Sequence, residues 1–312
     1  MNFRDNRFAP SRIHGMLTHA LAIFVALSTA HSVQAGNVEI REDKGRLEIL
    51  CLGKPFATYV YEDSTIPRPY FADVHAPSCD PVTRNNPPIE GQDKTDHATY
   101  HPGIWMAFGD VSGTDFWRNK ARVVHEKFVT PPVSGDPGSF VAINRYESDA
   151  GVIMHEQFEC TITSNAETTR IQWKSTFTPE KEIFFGDQEE MGLGVRLATP
   201  LIVEKGGVIE NSDGKKNEKE VWGQTATWCA YSGEVAGIRT GIILVPSPSN
   251  FRASWFHARD YGLLVANPFG QNAFTNGEAS KVVVSPEKPL TLAFDIVVFH
   301  SAKPIGELAQ SH

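Results

Sequence analysis

Where hydrophobic side chains in this chain are periodic, the period is two. Val152, Met154, Phe158, Cys160 and Ile162 fall on one side of an extended segment, interrupted only by Glu156, while Ile153, His155, Gln157, Glu159 and Thr161 fall on the other. The next segment repeats the pattern, with Ile171, Trp173 and Phe177 against Arg170, Gln172 and Lys174, and residues 164–167 make the turn. Residues 37–42, 46–52 and 55–61, parted by Lys44-Gly45 and Gly53-Lys54, predict a meander-like opening. Residues 103–109 form an apolar run long enough for one buried strand, and residues 289–300, apolar on both faces around Asp295, predict a strand central in its sheet. Helical periodicity is never sustained over ten residues; residues 215–220 read as a short helix or an exposed charged loop. Strands with one polar face each pair as antiparallel sheet with the apolar side inward, so the expected fold is all-β, a large antiparallel β-sandwich.

The first 35 residues change the domain picture. Arg4, Arg7 and Arg12 lead, an apolar run from Met16 to Ala30 follows, and Val33-Gln34-Ala35 places small residues at a cleavage site. The expectation is a signal peptide over residues 1–35, a single β-sandwich domain over 36–312, no membrane span in the mature chain and a periplasmic or secreted location. Removing the leader takes away three arginines and Asp5, leaving a chain more acidic than the net −8 of the whole, which makes nucleic acid an unsuitable partner. Cys51, Cys79, Cys160 and Cys229 lack the tight spacing of a zinc site; Cys51 and Cys160 fall on apolar strand faces, where buried free thiols compete with disulfides as the reading.

Candidate chemistry concentrates in residues 96–117, DHATYHPGIWMAFGDVSGTDFW, which flank the predicted buried strand with His97 and His101 on one side and Asp110 and Asp115 on the other. Fully extended, His97 and His101 would stand roughly 13 Å apart at about 3.3 Å per residue. Pro102 and Gly103 favour a bend that brings both rings to one ion or one substrate. The plainer alternative is that one histidine only ties the loop together. Asp187-Gln188-Glu189-Glu190 precedes a second apolar run ending in Arg196, and His257, Arg259 and Asn267 frame a third; a solvated acidic loop is the bland reading of the first of these. Carboxylates beside a histidine raise its pKa, which is the expectation for Glu189 and Glu190. Arg68, Arg84 and Asn85 add loop donors. No G-x-S-x-G elbow, P-loop, H-E-x-x-H or helix-opening G-x-G-x-x-G is present, so serine-hydrolase, nucleotide and dinucleotide readings fall away. His, carboxylate, Arg and Trp together are the palette of a sugar-handling cleft.

The motifs Arg68-Pro69-Tyr70-Phe71, Thr83-Arg84-Asn85 through Pro88, Asp96-His97 with His101, Gly103-Ile104-Trp105 to Phe108-Gly109-Asp110, Asp115-Phe116-Trp117 and Asn267-Pro268-Phe269-Gly270 together resemble the soluble bacterial proteins labelled "methane oxygenase PmoA family". The resemblance covers most of the chain after the leader. It implies a galactose-mutarotase-like supersandwich and an association with sugar degradation, while the label implies a copper-dependent oxygenase. In similar proteins the stretch before the strand is often denser in histidine; here Ala98, Thr99 and Tyr100 fill it.

The leading expectation is a carbohydrate-active enzyme that cleaves or isomerises a glycoside or an oxidised sugar by His/Glu proton transfer, with or without one divalent metal. His97, His101, Glu190 and His257 are the catalytic candidates, and His97 with His101 the metal candidates. Arg84, Asn85, Trp105, Asp110, Trp117, Arg196, Arg259 and Asn267 are the substrate-binding candidates for a small carbohydrate. A non-catalytic carbohydrate-binding protein, which needs an exposed aromatic strip, and a copper oxygenase are the alternatives.

Overall fold

Alternation gives each long strand one face that must leave water, and two sheets bury those faces against each other. The computed structural model describes residues 36–310, so the leader-like residues 1–35 lie outside the described part. One sheet has nine strands in the spatial order Val38–Asp43, Arg46–Cys51, Lys54–Val60, Tyr70–Ala72, Ile104–Phe108, Met191–Arg196, Leu263–Asn267, Trp255–Arg259 and Gln224–Thr225. The other has eight, in the order Val208–Asn211, Cys229–Val235, Ile238–Pro246, Leu290–His300, Thr168–Pro179, Gly151–Ser164, Gly138–Ser148 and Arg122–Val133. Their pairings are antiparallel. The chain is a large antiparallel β-sandwich.

The core between the sheets takes Ile104, Met106, Phe108, Leu193, Val195, Leu264 and Phe256 from the first and Phe140, Phe158, Ile171, Trp173, Ile296 and Val298 from the second. Burying a side chain of this size contributes about 2 kcal/mol. The Leu290–His300 strand is apolar on both faces because its second face, with Val297 and Phe299, lies under Ile305, Leu308 and Ala309 of the C-terminal helix Ile305–Gln310. The same helix covers Arg170, expected on the wet face. Arg170 pairs with Asp295 at 2.7 Å and donates to the Leu308 carbonyl at 3.1 Å. The short helix Asn217–Val221 stands where the charged run was. Cys51, Cys160 and Cys229 are buried and Cys79 exposed, all four as free thiols.

Glu156, the one break in the alternation, stays on the inward face. Asn144 Nδ2 donates to it at 3.0 Å and Ser175 Oγ donates to its other oxygen. A buried carboxyl is tolerated there because both oxygens are bonded.

Candidate functional site

Four neighbouring strands turn their outward residues onto one face of the nine-stranded sheet. Trp105, Gly194, Val265 and His257 sit directly opposite one another in register and form one row. Three strand spacings of about 4.8 Å make that row roughly 14 Å long. Arg196, Leu263 and Arg259 form the row beside it. Glycine is required at two positions here. A Cβ on Gly194 would lie 2.7 Å from the Trp105 indole, and Gly192, at φ +106°, would put one 2.3 Å from the Ala266 carbonyl oxygen. The Gly192-Leu193-Gly194 spacing therefore clears the outward face while Leu193 fills the core.

The chain before the Ile104–Phe108 strand does bend. His97 takes φ +51°, and the His101 amide donates back to the His97 carbonyl at 3.0 Å. The two imidazoles stack with centroids 4.9 Å apart at 23°, and His101 in turn stacks on Trp105 at 5.0 Å and 13°. Ring lone pairs lie in the ring planes, so two stacked rings do not aim at one point, and a shared ion needs donors that converge. Among the described residues no three His, Cys, Asp or Glu side chains gather as an ion-binding group. The described residues thus do not fit a copper centre, nor a divalent ion held by His97 and His101.

Two buried arginines hold this turn in place. Arg84 donates to the carbonyls of Lys94 at 2.7 Å, Asp96 at 2.8 Å and His101 at 3.2 Å. Arg68 donates to those of Phe116 and Trp117 at 3.1 Å each and to that of Tyr100. Arg84, expected as a substrate clamp, is therefore largely consumed by backbone. Arg196 is 1% exposed and different: Nη2 binds Asp96 Oδ1 at 2.8 Å, Tyr261 lies over the guanidinium at 4.7 Å, and two nitrogens, Nε and Nη1, have no partner among the described residues. His101 Nδ1 and Trp105 Nε1 are likewise buried without partners. Buried polar atoms are nearly always bonded, and a ligand with oxygens to offer would satisfy the group gathered here.

At the far end of the row His257 donates from Nδ1 to the Glu189 carbonyl at 3.2 Å, and its Nε2 accepts from Arg259 Nε at 3.0 Å. Both nitrogens are occupied, which removes His257 as a free base; it positions Arg259. That guanidinium also binds Glu189 Oε2 at 2.9 Å and Glu218 Oε1 at 2.8 Å. Among the described residues Glu190 meets no histidine: Arg118 holds it at 2.6 Å and reaches Asp115 at 3.1 Å. Asn267 is used up at the mouth of its strand. It donates to the Gln188 and Glu189 carbonyls and accepts from the Phe269 and Gly270 amides. Asp110 accepts the Gly113 amide at 2.7 Å, closing a turn, and Asn85 donates to Asp93 at 2.9 Å. Trp105 and Trp117 are fully buried, 0% and 1% exposed, so neither is a stacking platform for a ligand.

The electrostatics run against the expectation that carboxylates raise a histidine here. Burial, then the charge of Arg196, pushes His101 well below its ordinary value, and burial with Arg259 lowers His257 to about 4. Both rings are neutral at pH 7. Burial lowers Arg68 and Arg84 to about 10, with Arg196 adding repulsion at Arg84. Burial alone would raise Asp96, but the bonds from His97 and Arg196 and the charge of Arg196 hold it below its ordinary range. His97, about half exposed, accepts orientation from Asp96 through a 2.9 Å contact to Nδ1. Asp96, Arg118, Glu218 and Tyr261 were missed as site residues; the signal available was that Asp96 and Arg118 border the 96–117 run. A cleft of about 580 Å³ on the outer face of the other sheet, lined by Gln172, Lys174 and Asp295, contains none of the unpartnered buried atoms.

A family model described as a family of unknown function, DUF6807, matches residues 46–312, and the chain belongs to that family. No curated protein matches it. Among solved structures it is similar to a GH36 α-galactosidase AgaA variant from Geobacillus stearothermophilus in complex with 1-deoxygalactonojirimycin, at 10% identity over 85% of this chain and 40% of that one, with a TM-score of 0.39. It is also similar to the Slr1438 protein of Synechocystis sp. PCC 6803, at 14% identity over 85% and 96% of the two chains, with a TM-score of 0.30. The chain spans about two fifths of the galactosidase, and superpositions this loose carry no argument about chemistry.

Proposed function

We propose that this DUF6807 protein acts on a sugar or sugar derivative by proton transfer, at the outward face of its nine-stranded sheet. The observation that carries the reading is the Asp96–His97 pair seated on a neutral His101 beside the unpartnered nitrogens of Arg196. A carboxylate that fixes an imidazole while leaving the ring half exposed is the arrangement a general acid or base requires. His97 is the proton carrier, Asp96 its orienting partner, and Arg196 with His101 supplies fixed hydrogen-bonding groups for hydroxyl or carbonyl oxygens. Arg259 with Glu189, and Arg118 with Glu190, supply charged rims on the same sheet.

The leader-like residues 1–35 support work outside the cytoplasm. A passive sugar-binding role is the weaker reading, because the tryptophans that would form its platform, Trp105 and Trp117, are buried. The test is turnover of a panel of glycosides and their keto derivatives by the purified protein, with and without divalent metal. A substrate should be found whose turnover falls about a hundredfold or more in His97→Gln. Turnover unchanged by His97→Gln, or binding with no turnover of any member of the panel, refutes the catalytic assignment.

A further inference from the structure

Three guanidiniums, those of Arg68, Arg84 and Arg196, are each at most 3% exposed around His101, and among the described residues the only carboxylate paired with them is Asp96, 2.8 Å from Arg196 and 3.9 Å from Arg84. Buried charge without a counter-charge is costly, and the cost is relieved by bringing in an anion. Arg68 and Arg84 spend their Nη donors on carbonyl oxygens, which neutralise no charge, and each leaves its Nε unpartnered among the described residues. Among the described residues Arg196 keeps Nε and Nη1 unpartnered, and His101, on which the charge of Arg196 acts, keeps its buried Nδ1 unpartnered. Asp96, which binds Arg196, and His97, which stacks on His101, are both exposed, and the turn that carries them rests on a left-handed His97.

We infer that Arg196 is the anion-binding residue of the site and that its ligand is a carboxylate-bearing sugar, a sugar acid rather than a neutral hexose. This rests on the sugar reading above and narrows it. Each bidentate edge of the Arg196 guanidinium pairs Nη2 with an unpartnered nitrogen, Nε or Nη1, and Asp96 takes only one of the two Nη2 hydrogens, so one parallel fork remains to match a carboxylate's two oxygens. Asp96 is a resident competitor, already holding one corner of that guanidinium with a carboxylate of its own. Removing its charge should therefore tighten the binding of an anion, whereas loss of the Arg196 fork should weaken it.

The experiment is calorimetric titration of the full chain with glucuronate, galacturonate and mannuronate, with glucose, galactose and mannose as neutral partners and acetate as a carboxylate without a sugar. At least one uronate should bind tenfold or more tightly than its parent hexose. Arg196→Lys, which keeps the charge but loses the fork, should abolish that preference, and Asp96→Asn should strengthen it. The opposite signs keep the test clear of a folding defect, which would weaken both. Hexose binding equal to uronate binding overturns the anion subsite and leaves the sugar reading standing. Acetate binding as well as any uronate, with no hexose bound, overturns the sugar reading and leaves the anion subsite. Weaker uronate binding in Asp96→Asn, or no binding of any probe, overturns the inference.

Discussion

His257→Gln should make the protein less sensitive to acid, and the size of the effect follows from burial. The imidazole is 4% exposed, and burial together with Arg259 brings it to about 4 from an ordinary 6.5. The unfolded chain takes up a proton at this ring below about pH 6.5, while the folded chain refuses it until about pH 4. Stability from the neutral ring is therefore complete above the unfolded value and lost as the pH falls through that window. At about 1.4 kcal/mol per pKa unit the loss amounts to about 3 kcal/mol. Glutamine retains an amide oxygen that can accept from Arg259 and carries no titration. Urea denaturation of both proteins from about pH 7 to about pH 4 isolates the difference, since the other titrating groups are common to both. The wild type's advantage should shrink by about 3 kcal/mol across the range. A gap that stays constant with pH refutes the claim that a neutral ring is built into the fold at this position.

Glu156→Gln should behave in the opposite sense. Burial raises that carboxyl, so stability is penalised as the pH rises from the unfolded value through the folded one, and the variant's melting temperature should exceed the wild type's near pH 8, with the gap closing toward pH 4. Arg84→Met should cost about 3 kcal/mol or more by leaving the carbonyls of Lys94, Asp96 and His101 without their donor, and limited proteolysis should then cut within residues 94–101 first. Wild-type resistance there in the variant would show that the guanidinium does not hold the turn.

The long strands Gly151–Ser164 and Thr168–Pro179 were legible because one face of each is wet and period two survives, while Ile104–Phe108 and Leu290–His300, covered on both faces, were legible as bounded apolar runs. Gly192 and Gly194 also carried a readable signal, a cleared face opposite a filled one. The roles of single polar residues were less legible. Arg84 and Asn267 carry side chains suited to a ligand, but backbone carbonyls from segments distant in sequence claim most of their donors. Nothing in the sequence marks where such carbonyls will lie. Trp105 was expected to meet a sugar ring and instead meets His101, because the bend at His97 folds the histidines over it. Burial, more than any pairing, explains why crowded carboxylates did not raise the histidines: Glu189 Oε2 stands 3.4 Å from His257 Nε2, yet burial and the charge of Arg259 still lower that ring, and Glu190 is held by Arg118.

The most direct measurement is hydrogen exchange of the full chain in the presence and absence of the tightest-binding compound from the sugar panel. Protection should appear in residues 94–105 and 189–196, where the His97 turn covers Arg196. Protection confined instead to residues 172–174 and 293–295, around the cleft on the opposite sheet, would contradict the placement of the site.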